Sequence, residues 1–165
     1  VRRAPAGSPR ARSLRRQVTE VYFYHLEQSP LERVLPDLLQ KTLERGWKAV
    51  VRAGSTERVE ALNNQLWAYG RATFLPHGSK PDGEAARQPI WLTEAEENPN
   101  SAVILFLVDG ADTEAVGAYT RVCDIFDGND EEALAAARSR WKRAKDAGHA
   151  LAYFQQEGAR WVKKV

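Results

Sequence analysis

Seven consecutive apolar residues, Ala102-Val-Ile-Leu-Phe-Leu-Val108, constrain this chain more than any other feature of its sequence. Turn formers bound the run on both sides, Asn98-Pro99-Asn100-Ser101 before it and Asp109-Gly110 after it. A strand with one wet face alternates polar and apolar residues, whereas an unbroken run of strand length is what a strand covered on both faces requires. The rest of the chain must therefore supply cover for two faces of a sheet.

The flanking sequence has the elements to do so. Val18–Leu26 is rich in β-branched and aromatic residues and reads as a first strand. Ser29-Pro30-Leu31-Glu32 carries three helix-start signals, with Ser29 as cap, Pro30 at the first position and Glu32 completing a capping box. Leu31, Val34, Leu35, Leu38, Leu39 and Leu43 then recur at helical spacing until Gly46. Pro36 falls inside this pattern, and predicts a kink or a later start. Trp47–Ala53 reads as a second strand, and Ser55 or Thr56 caps a second helix with Val59, Leu62 and Leu66 on one face. A short strand at Thr73–Leu75, a Gly/Pro-rich loop to about Pro89 and a strand at Ile90–Thr93 precede the apolar run. After it come a short helix near Asp112–Tyr119, a strand at Arg121–Phe126 and a helix opened by Asn129, with Glu132 as capping partner. Gly148 ends that helix, and Ala150–Gln155 and Arg160–Lys163 form a closing strand pair turning at Glu157-Gly158. Strands alternating with helices predict an α/β fold: a mostly parallel sheet with helices on both faces, in a single domain.

At 165 residues the chain suits one domain that buries about two-thirds of its unfolded surface. Its net charge of +2 hides an asymmetry. Residues 1–17 carry six arginines and no acid, so 18 basic and 22 acidic residues remain from Val18 onward, a balance of −4. A body of that sign is a poor general binder of phosphate backbones. The 1–17 segment has no apolar period and reads as a disordered Arg-rich leader ahead of a domain at 18–165. It lacks the apolar core of a secretory signal; a basic tail, an incidental extension and an organellar targeting segment all share its composition. The single cysteine, Cys123, has no partner for an internal disulfide, which fits a reducing cytoplasm. Nowhere do enough apolar residues run together to make a membrane-spanning helix.

Residues that carry chemistry are sparse. No GxGxxG follows the first strand and no GxxxxGK[ST] occurs, so the phosphate-gripping turns of nucleotide-binding α/β proteins are missing. Ala53-Gly54-Ser55-Thr56 could cradle an anion at a helix start, or serve only as a glycine turn with its N-cap. His25, His77 and His149 are scattered, with no HExxH or i,i+4 pair, and predict no metal site. No GxSxG elbow is present, and Cys123 beside Val122 and Ile125 reads as a core residue. No catalytic residue and no cofactor is expected.

Two constellations point to binding instead. Arg138, Trp141, Lys142 and Lys145 fall at i, i+3, i+4 and i+7, on one side of the last long helix. Three cations around an indole suit a short peptide with carboxylates and an apolar residue. The competing reading makes Trp141 a core anchor near Leu134, Ala137 and Ala144, with the basic residues complementing the helix dipole. The second constellation, Leu66–Gly78, crowds Trp67, Tyr69, Phe74 and Leu75 into a connection between elements. Core packing explains part of it; an exposed remainder would be a partner site.

At these segments the sequence resembles the chi subunit family of bacterial DNA polymerase III. The matching features are Val21-Tyr22-Phe23-Tyr24, the Leu66-Trp67…Phe74-Leu75-Pro76-His77 block, the apolar strand ending Val108-Asp109, and Val122-Cys123-Asp124-Ile125-Phe126 leading into Ala137-Arg138-Ser139-Arg140-Trp141-Lys142. The resemblance covers about Glu20 to Gln155 and implies a Rossmann-like fold without a working nucleotide site. It implies a non-catalytic clamp-loader adaptor with two partners. One is the acidic C-terminal tail of single-stranded DNA-binding protein, received by Arg138, Trp141, Lys142 and Lys145 with Phe126 as an apolar neighbour. The other is the psi subunit or a helicase, received at Trp67, Phe74 and Leu75. Tryptophan at 141 and lysine at 145 depart from the tyrosine and arginine the family can carry there; Lys145 gives up a bidentate grip on a carboxylate. The alternatives are a small α/β nucleotide-binding protein or enzyme using the cleft at the strand C-termini, and direct nucleic-acid binding through Arg138–Lys145 and the leader.

Overall fold

The apolar run forms the strand it predicts, shortened to its fully buried centre, in a computed structural model that describes residues 18–68, 75–158 and 160–165. In chain order the elements are β1 (Glu20–Leu26), α1 (Leu31–Glu44), β2 (Ala49–Arg52), α2 (Thr56–Ala68), β3 (His77–Ser79), β4 (Ile90–Thr93), β5 (Ile104–Leu107), β6 (Arg121–Asp127), α3 (Glu131–Asp146), β7 (Ala150–Glu157) and β8 (Arg160–Lys163). They build one sheet in the order β3-β4-β2-β5-β6-β1-β7-β8, parallel throughout except for β8, which pairs antiparallel with β7. This is the mostly parallel α/β architecture with helices on both faces, Rossmann-like in the loose sense of a doubly wound sheet.

Strand alternation divides the core in two. Ile104 and Phe106 of β5, Tyr24 and Leu26 of β1 and Ile125 of β6 face α1 and α2. Leu105, Leu107, Val21, Phe23, Val122 and Phe126 face the other way, toward α3 and the turns beside it. Each large aliphatic or aromatic side chain buried this way contributes roughly 1.5–3 kcal/mol, so both faces are needed to hold the sheet.

Several local expectations are corrected. Pro36 lies buried inside α1 and neither delays nor ends it: the helix starts at Leu31 directly after Pro30, and no side chain caps it, Ser29 included. Buried leucines on both sides of Pro36 hold the helix through the backbone hydrogen bond that a proline cannot donate. The cap of α3 is Asp130, whose carboxylate accepts from the Glu132 and Ala133 amides, while the Asn129 side chain donates to the Glu27 carbonyl. The helix expected near Asp112–Tyr119 is only a 3-10 turn at Val116–Ala118. A short parallel edge strand, β3, lies where a loop was expected, because His77-Gly78-Ser79 has no apolar period to announce it. The strand expected at Thr73–Leu75 falls largely outside the described residues, as does the 1–17 leader.

The chain leaves β1 through α1 toward β2 on one face of the sheet, and leaves the neighbouring β6 through α3 toward β7 on the other. The two connections diverge at the C-terminal ends of β1 and β6, the place where doubly wound folds open a cleft.

Candidate functional site

That cleft exists, with a volume of about 940 Å³. Among the described residues, its walls carry Glu27, Glu32, Asp109, Asp127, Asp130 and Glu132 against two cations, Arg58 and Arg140. Both cations are already engaged. Arg58 Nε is 2.8 Å from Asp109 and its Nη2 3.4 Å from Glu32, while Arg140 pairs with Asp124. A nucleoside phosphate entering here would meet mostly carboxylates, so the electrostatics oppose the nucleotide reading. Among the described residues no group of histidine, cysteine and acidic side chains is placed to hold a metal ion. Burial pushes the Cys123 thiol up to about 12, which suits an inert core residue.

The second face is built on α3. This helix is polar and buries only Ala137 and Ala144 completely, with Leu134 and Trp141 partly buried against the sheet. Small side chains give it little hydrophobic hold, so two larger contacts fix its position. Trp141 packs edge-on against Phe23 of β1, with ring centroids 5.2 Å apart, and against Tyr153 of β7 at 5.8 Å. Beneath the helix Arg140 forks onto Asp124 of β6, Nε at 2.5 Å from one carboxylate oxygen and Nη2 at 3.1 Å from the other. Both groups are almost fully buried. Such a pair adds little net stability over an apolar substitute, but stranding one partner is costly, so it sets the rotation of α3 about its own axis.

That rotation sorts the basic residues of α3. Arg140 and Arg143 turn toward β6 and the Asp112 loop and are committed, Arg143 Nη2 lying 2.5 Å from Asp112. Arg138, Lys142 and Lys145 are exposed on the other flank, and among the described residues none of them forms an ion pair. Trp141 lies between the flanks, so it is both a core anchor and the apolar neighbour of those cations. Phe126 is buried beneath α3, in ring contact with His25 at 5.2 Å and Tyr153 at 6.1 Å, and supports the face from below.

Sequence reasoning missed two members of this region. Tyr153 lies beside Trp141, and burial raises its phenol above the ordinary range although the charge of Arg138 pulls the other way. His25, set aside as one of three scattered histidines, shares a hydrogen bond at Nδ1 with the Tyr153 hydroxyl across 2.5 Å, and its Nε2 lies 3.0 Å from the Glu27 carboxylate. The parity of Leu151 and Tyr153 would have shown which face they occupy, had the pairing of β7 with β1 been known.

The second predicted surface is only partly described. Trp67, at the end of α2, is 54% exposed, with its ring 4.4 Å from that of His77. Leu75 is buried in the core and so cannot itself be a surface contact. Phe74 lies outside the described residues.

Taken together, the sheet and its charged faces define a doubly wound α/β protein with an acid-lined cleft where related folds hold phosphates. Residues 18–152 match the family described as DNA polymerase III chi subunit, HolC, and the chain belongs to that family. A curated relative, the "Probable DNA polymerase III subunit chi" of Rickettsia prowazekii (strain Madrid E), is 35% identical over 89 residues. The aligned part is 54% of this chain and 54% of the relative, so the chain spans about half the length of the curated relative it matches. Membership places the chain among the chi subunits of DNA polymerase III. Among the described residues, no helix is long and apolar enough to cross a membrane.

Proposed function

We propose that this chain is a cytoplasmic replisome adaptor, without catalysis of its own, that ties the clamp loader of DNA polymerase III to the acidic C-terminal tail of single-stranded DNA-binding protein. The observation that carries the reading is the flank of α3 on which Arg138, Lys142 and Lys145 stand uncommitted beside Trp141. A tail of aspartates with an aromatic end and a free carboxylate matches that arrangement charge for charge and ring for ring. Short contacts of this kind reach micromolar affinity, about −8 kcal/mol, and weaken as salt rises. Fluorescence anisotropy with a labelled tail peptide tests it: Lys142→Ala binds more weakly than wild type and with a flatter salt dependence. Equal affinities reject the assignment.

The adaptor's other partner, the psi subunit or a helicase, is assigned to the surface around Trp67 and Phe74, with Leu75 as buried support. The exposure of the Trp67 indole supports this. Phe74→Ala should abolish copurification with that partner while tail binding persists; loss of both together would point to unfolding instead.

A further inference from the structure

We infer that Tyr153 is a further contact in the tail site, forming with Trp141 a two-ring notch for the aromatic side chain of the peptide, and that His25 positions it. The inference rests on the α3 reading above.

The notch follows from geometry. The Trp141 and Tyr153 rings are 5.8 Å apart and inclined at 76°, so one presents a face where the other presents an edge. A third ring in that angle meets both in the offset and edge-to-face arrangements that aromatic quadrupoles favour. Both side chains are only partly buried, unlike Phe126 below them. Arg138, one helical turn before Trp141 on the exposed flank of α3, supplies a guanidinium for a terminal carboxylate.

The Tyr153 ring packs among Trp141, Phe126 and His25, and a contact at its hydroxyl holds its far end. The Glu27 carboxylate lies 3.0 Å from His25 Nε2 without completing a hydrogen bond to it. On the opposite side of the ring, Nδ1 and the Tyr153 hydroxyl share a hydrogen bond at 2.5 Å. The imidazole itself is held in place: it is buried, tilted against Phe126, and backed by Gly128, where any Cβ would collide with the ring. A tyrosine fixed at its far end loses little rotamer freedom on binding, which favours affinity.

The test uses two aspartate-rich peptides with free carboxylates, one ending in phenylalanine and one in alanine, titrated against the full chain. Tyr153→Leu weakens the phenylalanine peptide about tenfold and the alanine peptide by less than about twofold. Tyr153→Phe, which keeps the ring and drops the tether to His25, weakens the phenylalanine peptide by a smaller factor. Lys142→Ala, in contrast, weakens both peptides alike and flattens their salt dependence. If wild type binds and Tyr153→Leu affects both peptides equally, or neither, the notch is overturned while the tail-receptor reading stands. If wild type binds neither peptide, that reading falls and the notch with it. Should Tyr153→Leu fail to fold, nuclear Overhauser contacts between the Tyr153 ring and the peptide phenylalanine in the wild-type complex decide: their presence supports the notch and their absence overturns it.

Discussion

The two flanks of α3 carry the same kind of side chain and put it to opposite uses. On the flank toward β6, Arg140 and Arg143 meet Asp124 and Asp112 and are spent on holding the helix. On the flank toward β7, Arg138, Lys142 and Lys145 form no ion pair among the described residues, and Trp141 and Tyr153 lie beside them. A count of basic residues would treat all five alike. What separates them is where the fold places its carboxylates, Asp124 buried in β6 beneath Arg140 and Asp112 on an exposed loop beside Arg143.

The largest way to break this contrast is to remove the buried anchor. Asp124→Ala strands the Arg140 guanidinium under α3 and should cost about 3–5 kcal/mol in urea unfolding. A loss under about 1 kcal/mol would mean that α3 owes its orientation to Trp141 alone. Next in size is Gly128→Ala, whose added methyl must displace the His25 ring. Overpacking of that kind costs roughly 1–3 kcal/mol, and the Tyr153 hydrogen bond should be lost with it, visible in the imidazole proton resonances. In binding, Lys142→Ala should weaken an acidic peptide about tenfold, or about 1.4 kcal/mol, and leave unfolding within about 0.5 kcal/mol of wild type. Arg143→Ala should leave peptide affinity unchanged; a comparable loss would erase the distinction between the flanks.

The smallest effect is a pH dependence on the committed flank. Burial alone would push the Asp112 carboxyl up, but the Arg143 hydrogen bond, the Thr113 amide and the charge of Arg143 hold it below the ordinary carboxylate range. With its folded value depressed, Asp112 contributes stability above the unfolded carboxylate value and loses it as pH falls through the folded one. The pair is largely exposed, so a few tenths of a kcal/mol is the scale. Asp112→Asn should flatten the acid limb of the stability curve by that amount, and a steeper wild-type limb that the variant leaves unchanged would point to another carboxylate.

The fold was legible where one residue pattern has one meaning. Seven apolar residues between turn formers made a buried strand, and the leucines of α1 outweighed the proline among them. The spacing of Arg138, Trp141, Lys142 and Lys145 likewise placed them together. Spacing could not separate them from Arg140 and Arg143, because that distinction depends on Asp124 and Asp112, which arrive from β6 and a distant loop. His25 and Tyr153 were out of reach for the same reason: their contact joins residues 128 positions apart through strand pairing that no local signal encodes. Phe126 and Leu75 were singled out for their apolar character, which is also what buries them.

The place of β1 in the sheet has a consequence for how the protein is made. Both of its neighbours, β6 and β7, are synthesised long after it, Arg121 following its partner Glu20 by 101 residues. Contacts of such range are slow to form, because loop closure must precede any gain from pairing. While β6 and β7 are still untranslated, Val21-Tyr22-Phe23-Tyr24 has neither strand to pair with, an aggregation hazard that a nascent-chain chaperone would be suited to cover. The Trp141–Tyr153 contact cannot exist before β7 docks on β1, so translation order delays this face of the protein until its sheet is nearly complete.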